Sequence, residues 1–446
     1  MVSPDTRPRI VLTPNESESP VAVVVLAGYS LAPLPPNHPR LTELGNQLEF
    51  GREMPSSAWN GDFADTLLSR RHARITRVAG DAYVLQDLGS TNGTWLDGIR
   101  IASGAQQTLK PGSAFLLGGQ VFVFRRVSRD ELAAMREDLA HPFGPVPTLS
   151  PAMAMLARKL RRLAAANVDL LLAGETGVGK EIHAEAIHRA SGRKGPFLTI
   201  NCAAIPENLV EGELFGYAKG AHSTAEQAKQ GLLEQADGGT LFLDEIGEMA
   251  QSAQTKLLRF LQSRQVMSLG TTRARVLDVR VVAATNRPVA QDADDPGLRY
   301  DLAARLGPAP LMIPPLRDRA EDIGLLTDFL AKDRLGFVPE AYLALFLHSW
   351  KGNVRELEKV VTVAQVLANG EPHVDLDHLP TAVAARVDAL VPTSRRRRRP
   401  TREELVEALA RHGGDVADLA RELGRQRTLV WRWLRENEIR ADDFRG

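Results

Sequence analysis

The chain has 446 residues, too many for one hydrophobic core and enough for about three domains of ordinary size. With 43% hydrophobic and 25% charged residues it is not a chain disordered throughout. Its 55 Lys plus Arg balance 55 Asp plus Glu, which excludes a global electrostatic drive toward nucleic acid or membrane and leaves only local charge to act. Residues 1–20 are polar and proline-rich without periodicity and are expected to form a flexible tail. No run approaches the ~20 apolar residues that a bilayer needs, so a cytoplasmic protein without membrane contact is expected. The single cysteine, Cys202, excludes an internal disulfide framework and fits a reducing compartment; it reads as a small buried residue.

From Val21 to Arg126 the apolar residues come in short β-branched runs such as Val21 to Leu26, Ala82 to Leu85 and Val121 to Phe124, broken by Gly, Asn and Asp turns. That pattern predicts an all-β sandwich over 21–126. Three polar segments stand in order at the ends of these runs: Phe50-Gly-Arg52, Leu68-Ser-Arg-Arg-His72 and Asp87-Leu-Gly-Ser-Thr-Asn-Gly-Thr-Trp95. Three loops of a sandwich can meet at one edge. Ser90-Thr-Asn-Gly93 alone is a turn; all three segments together resemble the forkhead-associated (FHA) domain. The resemblance implies that Arg52, Ser69 and Arg70 hold the phosphate of a phosphothreonine-containing protein, with Thr91 and Asn92 orienting the peptide backbone. The chemistry suits that role, because a phosphate brings about two negative charges and three acceptor oxygens. His72 reads as structural.

Residues 127–147 read as a linker with a helix over Arg129 to Leu139, and from 148 to 380 strands alternate with helices, which predicts a parallel sheet covered by helices. Within it, Gly174-Glu175-Thr176-Gly177-Val178-Gly179-Lys180 follows the apolar strand Val168 to Ala173 and precedes a helix beginning near Glu181. That is the phosphate-loop pattern in its confirming context. Glycines let backbone N–H groups turn inward around phosphates, and Lys180 adds a point charge. About sixty residues on, the strand Thr240-Leu-Phe-Leu ends in Asp244 and Glu245, which can hold Mg²⁺ and polarise the attacking water respectively.

These stretches resemble the AAA+ domain of bacterial enhancer-binding proteins, the sigma-54-dependent activators. So do Asn201-Cys-Ala-Ala, Glu213-Leu-Phe-Gly216, Ala283-Ala-Thr-Asn286, Pro314-Pro-Leu-Arg-Asp-Arg319 and Trp350-Lys-Gly-Asn-Val-Arg-Glu-Leu-Glu358. The resemblance implies an α/β phosphate-loop domain with a helical lid, ATP and Mg²⁺ as cofactors, and a homo-oligomer, expected to be a hexamer. It accounts for Glu181, since that family carries Glu there. It implies that Asn201 restrains Glu245, that Asn286 is a first nucleotide sensor, and that Arg355 is a second one on the lid. Arg299 and Arg305 look like the fingers that reach into a neighbouring protomer's site, where a guanidinium stabilises charge on the γ-phosphoryl group.

One departure matters. Activators of this family contact sigma-54 RNA polymerase through a Gly-Ala-Phe-Thr-Gly-Ala loop, and here the run is Gly220-Ala221-His222-Ser223-Thr224-Ala225. An aromatic anchor is gone and a flexible glycine is replaced by a β-branched residue, changes that weaken contact and loop motion. Two readings of the output stay open. One is a sigma-54 activator working with an altered loop; the other is a sigma-54-independent DNA-binding regulator or scaffold whose ATPase controls assembly only.

Residues 381–400 read as a second linker, ending in five consecutive arginines, Arg395 to Arg399, which are either a solvated run or phosphate contacts. Thr401-Arg-Glu-Glu404 is a capping box that opens a helix, Asp415 to Leu423 a second, and Arg425 to Asn437 a third after the turn at Gly424. This all-α segment, 401–446, is a helix-turn-helix pattern and resembles the Fis-type DNA-binding domain. Gln426, Arg427, Thr428, Trp431 and Arg432 are expected to face the major groove of an upstream DNA site.

Overall fold

The computed structural model describes residues 20–444 except 35–38, 53–64, 66, 221–226, 272, 288–296, 308, 332–334, 389–399 and 424–426. Among these residues ten strands form the expected sandwich: β1 (Val21–Tyr29), β2 (Leu41–Glu43), β3 (Gln47–Phe50), β4 (Ala73–Val78), β5 (Ala82–Asp87), β6 (Thr94–Leu96), β7 (Ile99–Ile101), β8 (Gln106–Leu109), β9 (Ala114–Leu117) and β10 (Gln120–Val127). They pair as one sheet ordered β2-β1-β10-β9-β6-β7 and a second ordered β3-β4-β5-β8. Between them lies an aromatic core in which Phe115 stacks on Phe122 at 5.2 Å and Phe50 meets both rings edge-on.

β1 is buried on both faces. Val24 and Leu26 point into the sandwich, while Val23, Val25 and Ala27 join a second core with Tyr342, Phe346, Trp350 and Leu357. A strand buried on one face alternates apolar with polar residues, and this one does not. The helices it packs against follow the α/β domain, which runs α1 (Arg129–Ala140), α2 (Pro151–Ala165), β11 (Leu170–Ala173), α3 (Lys180–Ser191), β12 (Phe197–Asn201), α4 (Glu207–Phe215), α5 (Leu232–Gln235), β13 (Thr240–Asp244), α6 (Gln251–Ser263), the short pair β14 (Gln265–Val266) and β15 (Arg275–Val276), β16 (Arg280–Thr285), α7 (Tyr300–Leu306) and β17 (Leu311–Met312). Its parallel sheet is ordered β12-β13-β16-β11-β17. The predicted strand over Val168 to Ala173 starts two residues later, and Val168 is exposed.

The helical subdomain comprises α8 (Ile323–Leu330), β18 (Gly336–Phe337), α9 (Pro339–Leu347), α10 (Asn353–Leu367), β19 (His373–Val374) and α11 (Thr381–Asp388). It closes on the sandwich without room to spare: a Cβ at Gly324 would lie 2.0 Å from the Ala27 carbonyl oxygen, and the Phe337 N–H donates to Ser30 O at 2.6 Å. Arg125 of the sandwich donates to Glu321 at 2.7 Å in this interface, where burial pushes the Glu321 carboxyl up to about 7 even against the Arg125 charge. The last three helices are α12 (Arg402–Arg411), α13 (Val416–Leu423) and α14 (Arg427–Glu436). The Thr401 capping box is formed on both sides, and Leu405, Leu409, Leu419, Val430, Trp433 and Leu434 make a separate small core.

Candidate functional site

The parallel sheet brings the chemistry-bearing residues to the carboxyl ends of its strands, the usual ligand position in an open α/β sheet. β11 is wholly buried and ends at Ala173, and from Gly174 the chain turns through Gly177 (φ 81°) and Gly179 (φ 101°) into α3 at Lys180, one residue before the expected start. Only glycine adopts such angles freely, and the turn leaves loop N–H groups at a helix N-terminus, a cradle for phosphate. The Lys180 Nζ donates to the carbonyls of Gly174 (2.9 Å) and Glu175 (3.2 Å). Burial lowers its pKa; Asp244 and Glu245 pull it back up and Arg355 lowers it further, so all three charges lie near the ammonium. A phosphate loop, a lysine and two carboxylates in this arrangement fit a nucleotide with its divalent cation.

Asp244 ends β13 beside Asn201 of β12, and its carboxylate accepts the Glu245 N–H at 3.0 Å. Glu245 sits in the left-handed region (φ 53°, ψ 45°), a conformation that costs a non-glycine residue about 1–2 kcal/mol and that clusters at functional sites. The Asn201 Oδ1 accepts from the Ala203 N–H at 2.9 Å, and among the described residues no hydrogen bond joins Asn201 to Glu245. Asn286, just past β16, donates to the Thr176 hydroxyl at 3.3 Å. Glu181 is exposed in the first turn of α3. Arg299 pairs with Asp301 at the surface and Arg305, exposed on α7, donates to Leu261 O at 2.9 Å; neither bonds to this chain's own phosphate loop. Cys202 is buried as expected, and burial pushes its thiol up to about 12.

Sequence reasoning missed the residues that clamp the helical subdomain onto the loop. Arg317 donates to both carboxylate oxygens of Glu175 (2.6 and 2.9 Å), and with Asn353 this holds the Glu175 carboxyl down at about 2. The buried Asn353, at φ 55°, accepts from the Leu316 N–H (2.8 Å) and donates to Glu175 (3.1 Å) and to Thr176 O (3.0 Å). Val354 N–H reaches Gly177 O at 3.0 Å, and Arg319 donates to Val178 O at 2.9 Å. A Cβ at Gly177 would lie 2.3 Å from Gly352 O and 3.2 Å from the Arg355 Cβ, so α10 presses on the loop and carries Arg355 to its rim. Asn353→Ala strands buried polar groups and removes a residue tolerant of positive φ. It is expected to cost about 1–3 kcal/mol, read as a lowered denaturation midpoint with weaker nucleotide binding.

At the sandwich edge the three predicted loops do meet. Arg52 N–H bonds to Ser69 O at 3.1 Å, the Ser69 hydroxyl accepts the Thr91 N–H at 2.9 Å, and Asn92 donates to Leu67 O at 2.7 Å. His72 is fully buried and structural, with Nδ1 accepting from the Ser69 N–H and Nε2 facing Gly93 O at 3.2 Å. Burial pushes the Asp87 carboxyl up, but hydrogen bonds from Ser90, Thr94 and Gly89 outweigh it and hold the pKa low. Arg52 and Arg70 are exposed, and among the described residues neither guanidinium has an acceptor.

Gly220 opens its loop at φ 80° just past the bridge between Tyr217 and Lys229, and Ala221, His222, Ser223, Thr224 and Ala225 lie outside the described residues. So do Gln426 and the arginine run. Arg427, Thr428 and Arg432 lie on α14, and Trp431 there is 38% exposed. Among the described residues no helix is long and apolar enough to cross a membrane.

A sigma-54 interaction domain model matches residues 146–312, an FHA domain model residues 48–118 and an AAA+ ATPase lid domain model residues 317–395. The transcriptional regulatory protein ZraR of Salmonella typhimurium is 38% identical over 315 residues, 67% of this chain and 69% of that one. The regulatory protein AtoC of Escherichia coli is 41% identical over 271 residues, 57% of this chain and 59% of that one. The chain thus spans roughly three-fifths to seven-tenths of the length of these relatives. NtrX of Brucella abortus, solved with ADP, is 31% identical with a TM-score of 0.49, over 69% of this chain and 72% of that one.

Proposed function

The chain belongs to the family of transcriptional regulators built on a sigma-54 interaction domain, here with an AAA+ lid and an FHA domain, and from that premise we propose that it is an ATP-hydrolysing, DNA-binding regulator controlled by phosphothreonine recognition. The observation that carries this is the clamp on the phosphate loop. Glu175, Thr176 and Gly177 are each bonded to the helical subdomain, and that subdomain is packed on the phosphopeptide-type sandwich. Nucleotide state and sandwich state therefore share one element, which a regulator of this kind requires.

In this reading Lys180 and the loop N–H groups hold the β- and γ-phosphates, and Glu245 orients the attacking water and takes its proton. Asp244 would hold Mg²⁺, which would supply charge neutralisation at the phosphates. Asn286 touches the loop through Thr176, and Arg355 reads the nucleotide from the lid. Arg299 and Arg305, which among the described residues make no bond to their own phosphate loop, act on the site of an adjoining copy, so turnover rises with assembly, a hexamer by the family's habit. The α12–α14 segment binds upstream DNA through Gln426, Arg427, Thr428, Trp431 and Arg432.

A second reading of the output rests on His222, Ser223 and Thr224, which stand where an activator has Phe, Thr and Gly. Losing an aromatic anchor at the centre of a contact costs about 2 kcal/mol or more. With reconstituted sigma-54 polymerase and ATP, the wild-type protein is expected to form little open complex, and the triple variant H222F/S223T/T224G substantially more. Equal, efficient open-complex formation by both overturns the second reading and makes the chain a working activator.

A further inference from the structure

The sandwich edge and the helical subdomain are two walls of one cleft of about 500 Å³, within the range of ligand sites. Leu67, Asn92, Gly93 and Trp95 line one side, next to the residues assigned to phosphothreonine, and Glu340 and His373 line the other. The subdomain wall is fixed by backbone contacts: Phe337 N–H bonds to Ser30 O, and a Cβ at Gly336 would lie 2.4 Å from Leu31 O. This stations the first turn of α9, Pro339 and Glu340, opposite the loop that carries Asn92.

We propose that the helical subdomain completes the phosphopeptide site, and that Glu340 is a specificity-determining residue selecting a cationic side chain in the peptide flanking the phosphothreonine. The inference rests on the phosphothreonine reading above and goes beyond it, since a sandwich alone has no such wall. Charge carries the argument. Among the described residues, the exposed guanidiniums of Arg52 and Arg70 on the neighbouring sandwich loops have no acceptor, and the half-buried Glu340 carboxylate on the facing wall has no hydrogen-bond or ion-pair partner. A ligand that satisfies both ends is anionic at one point and cationic a few residues away. An extended peptide advances about 3.3 Å per residue, so a few residues flanking the phosphothreonine suffice to follow the wall from the loop of Asn92 toward Glu340. Discrimination comes as much from repulsion as from attraction, because an acidic residue at that position would face Glu340 in a confined space.

The test uses the full chain and fluorescent phosphothreonine peptides with alanine flanks, into which Arg or Glu is placed one position at a time. Wild type is expected to prefer Arg over Glu roughly fivefold at one flanking position, the scale of a partly screened ion pair. Glu340→Arg should reverse that preference at the same position while binding the all-alanine phosphopeptide within about twofold of wild type. An unchanged preference in Glu340→Arg, or none in wild type, overturns the role of the subdomain. If Arg70→Ala still weakens binding of the all-alanine phosphopeptide by about 10-fold or more in that case, the phosphothreonine reading survives. Failure of wild type to bind any phosphopeptide overturns both.

Discussion

Glu245→Gln is expected to lower steady-state ATP turnover by about 100-fold or more while nucleotide binding persists, because the amide keeps the side chain's shape but cannot take a proton from water. The backbone supports so sharp an effect. Glu245 is held at positive φ directly after a buried strand, with its N–H bonded to the Asp244 carboxylate, so its position is set by the strand and not by the side chain. Lys180→Ala should behave differently. The ammonium spans the Gly174 and Glu175 carbonyls in this structure, and a γ-phosphate competes for the same donors, so its loss removes binding and turnover together. Binding is read with a fluorescent nucleotide and turnover by phosphate release. Hydrolysis by Glu245→Gln at the wild-type rate would falsify the assignment of this carboxylate.

How far the sequence alone reaches differs between parts of the molecule, for physical reasons. The phosphate loop and the acid pair are local: each is written in fewer than ten consecutive residues whose spacing the backbone geometry demands. The sandwich was equally plain in its short runs and turns. Its second contact was not, although the signal was present. Val21 to Ala27 contains no polar residue, and a strand without alternation has two faces to bury. Asn353 and Arg317 lay within stretches recognised as family-like, yet no periodicity shows that one amide bridges residues nearly 180 positions apart. Long-range polar pairs need a fold before they have partners. The Asn201–Glu245 restraint is a different case: Asn201 pairs across the strands with Asp244, the residue before Glu245, and among the described residues no hydrogen bond joins it to Glu245.

Arg70→Ala is expected to weaken phosphothreonine-peptide binding by about 10- to 100-fold, the loss of one or two hydrogen bonds to a charged group. Arg52→Ala should act similarly. Among the described residues neither guanidinium has an acceptor, so neither mutation breaks an ion pair seen in the structure and the folded protein should keep its stability. Arg70→Lys separates charge from geometry: a lysine keeps the attraction but not the planar fork, and should recover only part of the affinity. The pH dependence has a definite sign. The second phosphate ionisation lies near pH 6, so affinity should be full above pH 7 and fall as pH drops below 6, where the dianion is lost. A carboxylate-binding edge would instead hold its affinity down to about pH 4. Titrating wild type with a phosphothreonine peptide and with its aspartate counterpart across pH 5–8 distinguishes the two. Equal affinity for both peptides at every pH would mean that the loops gathered by His72 and Asp87 serve some other anion.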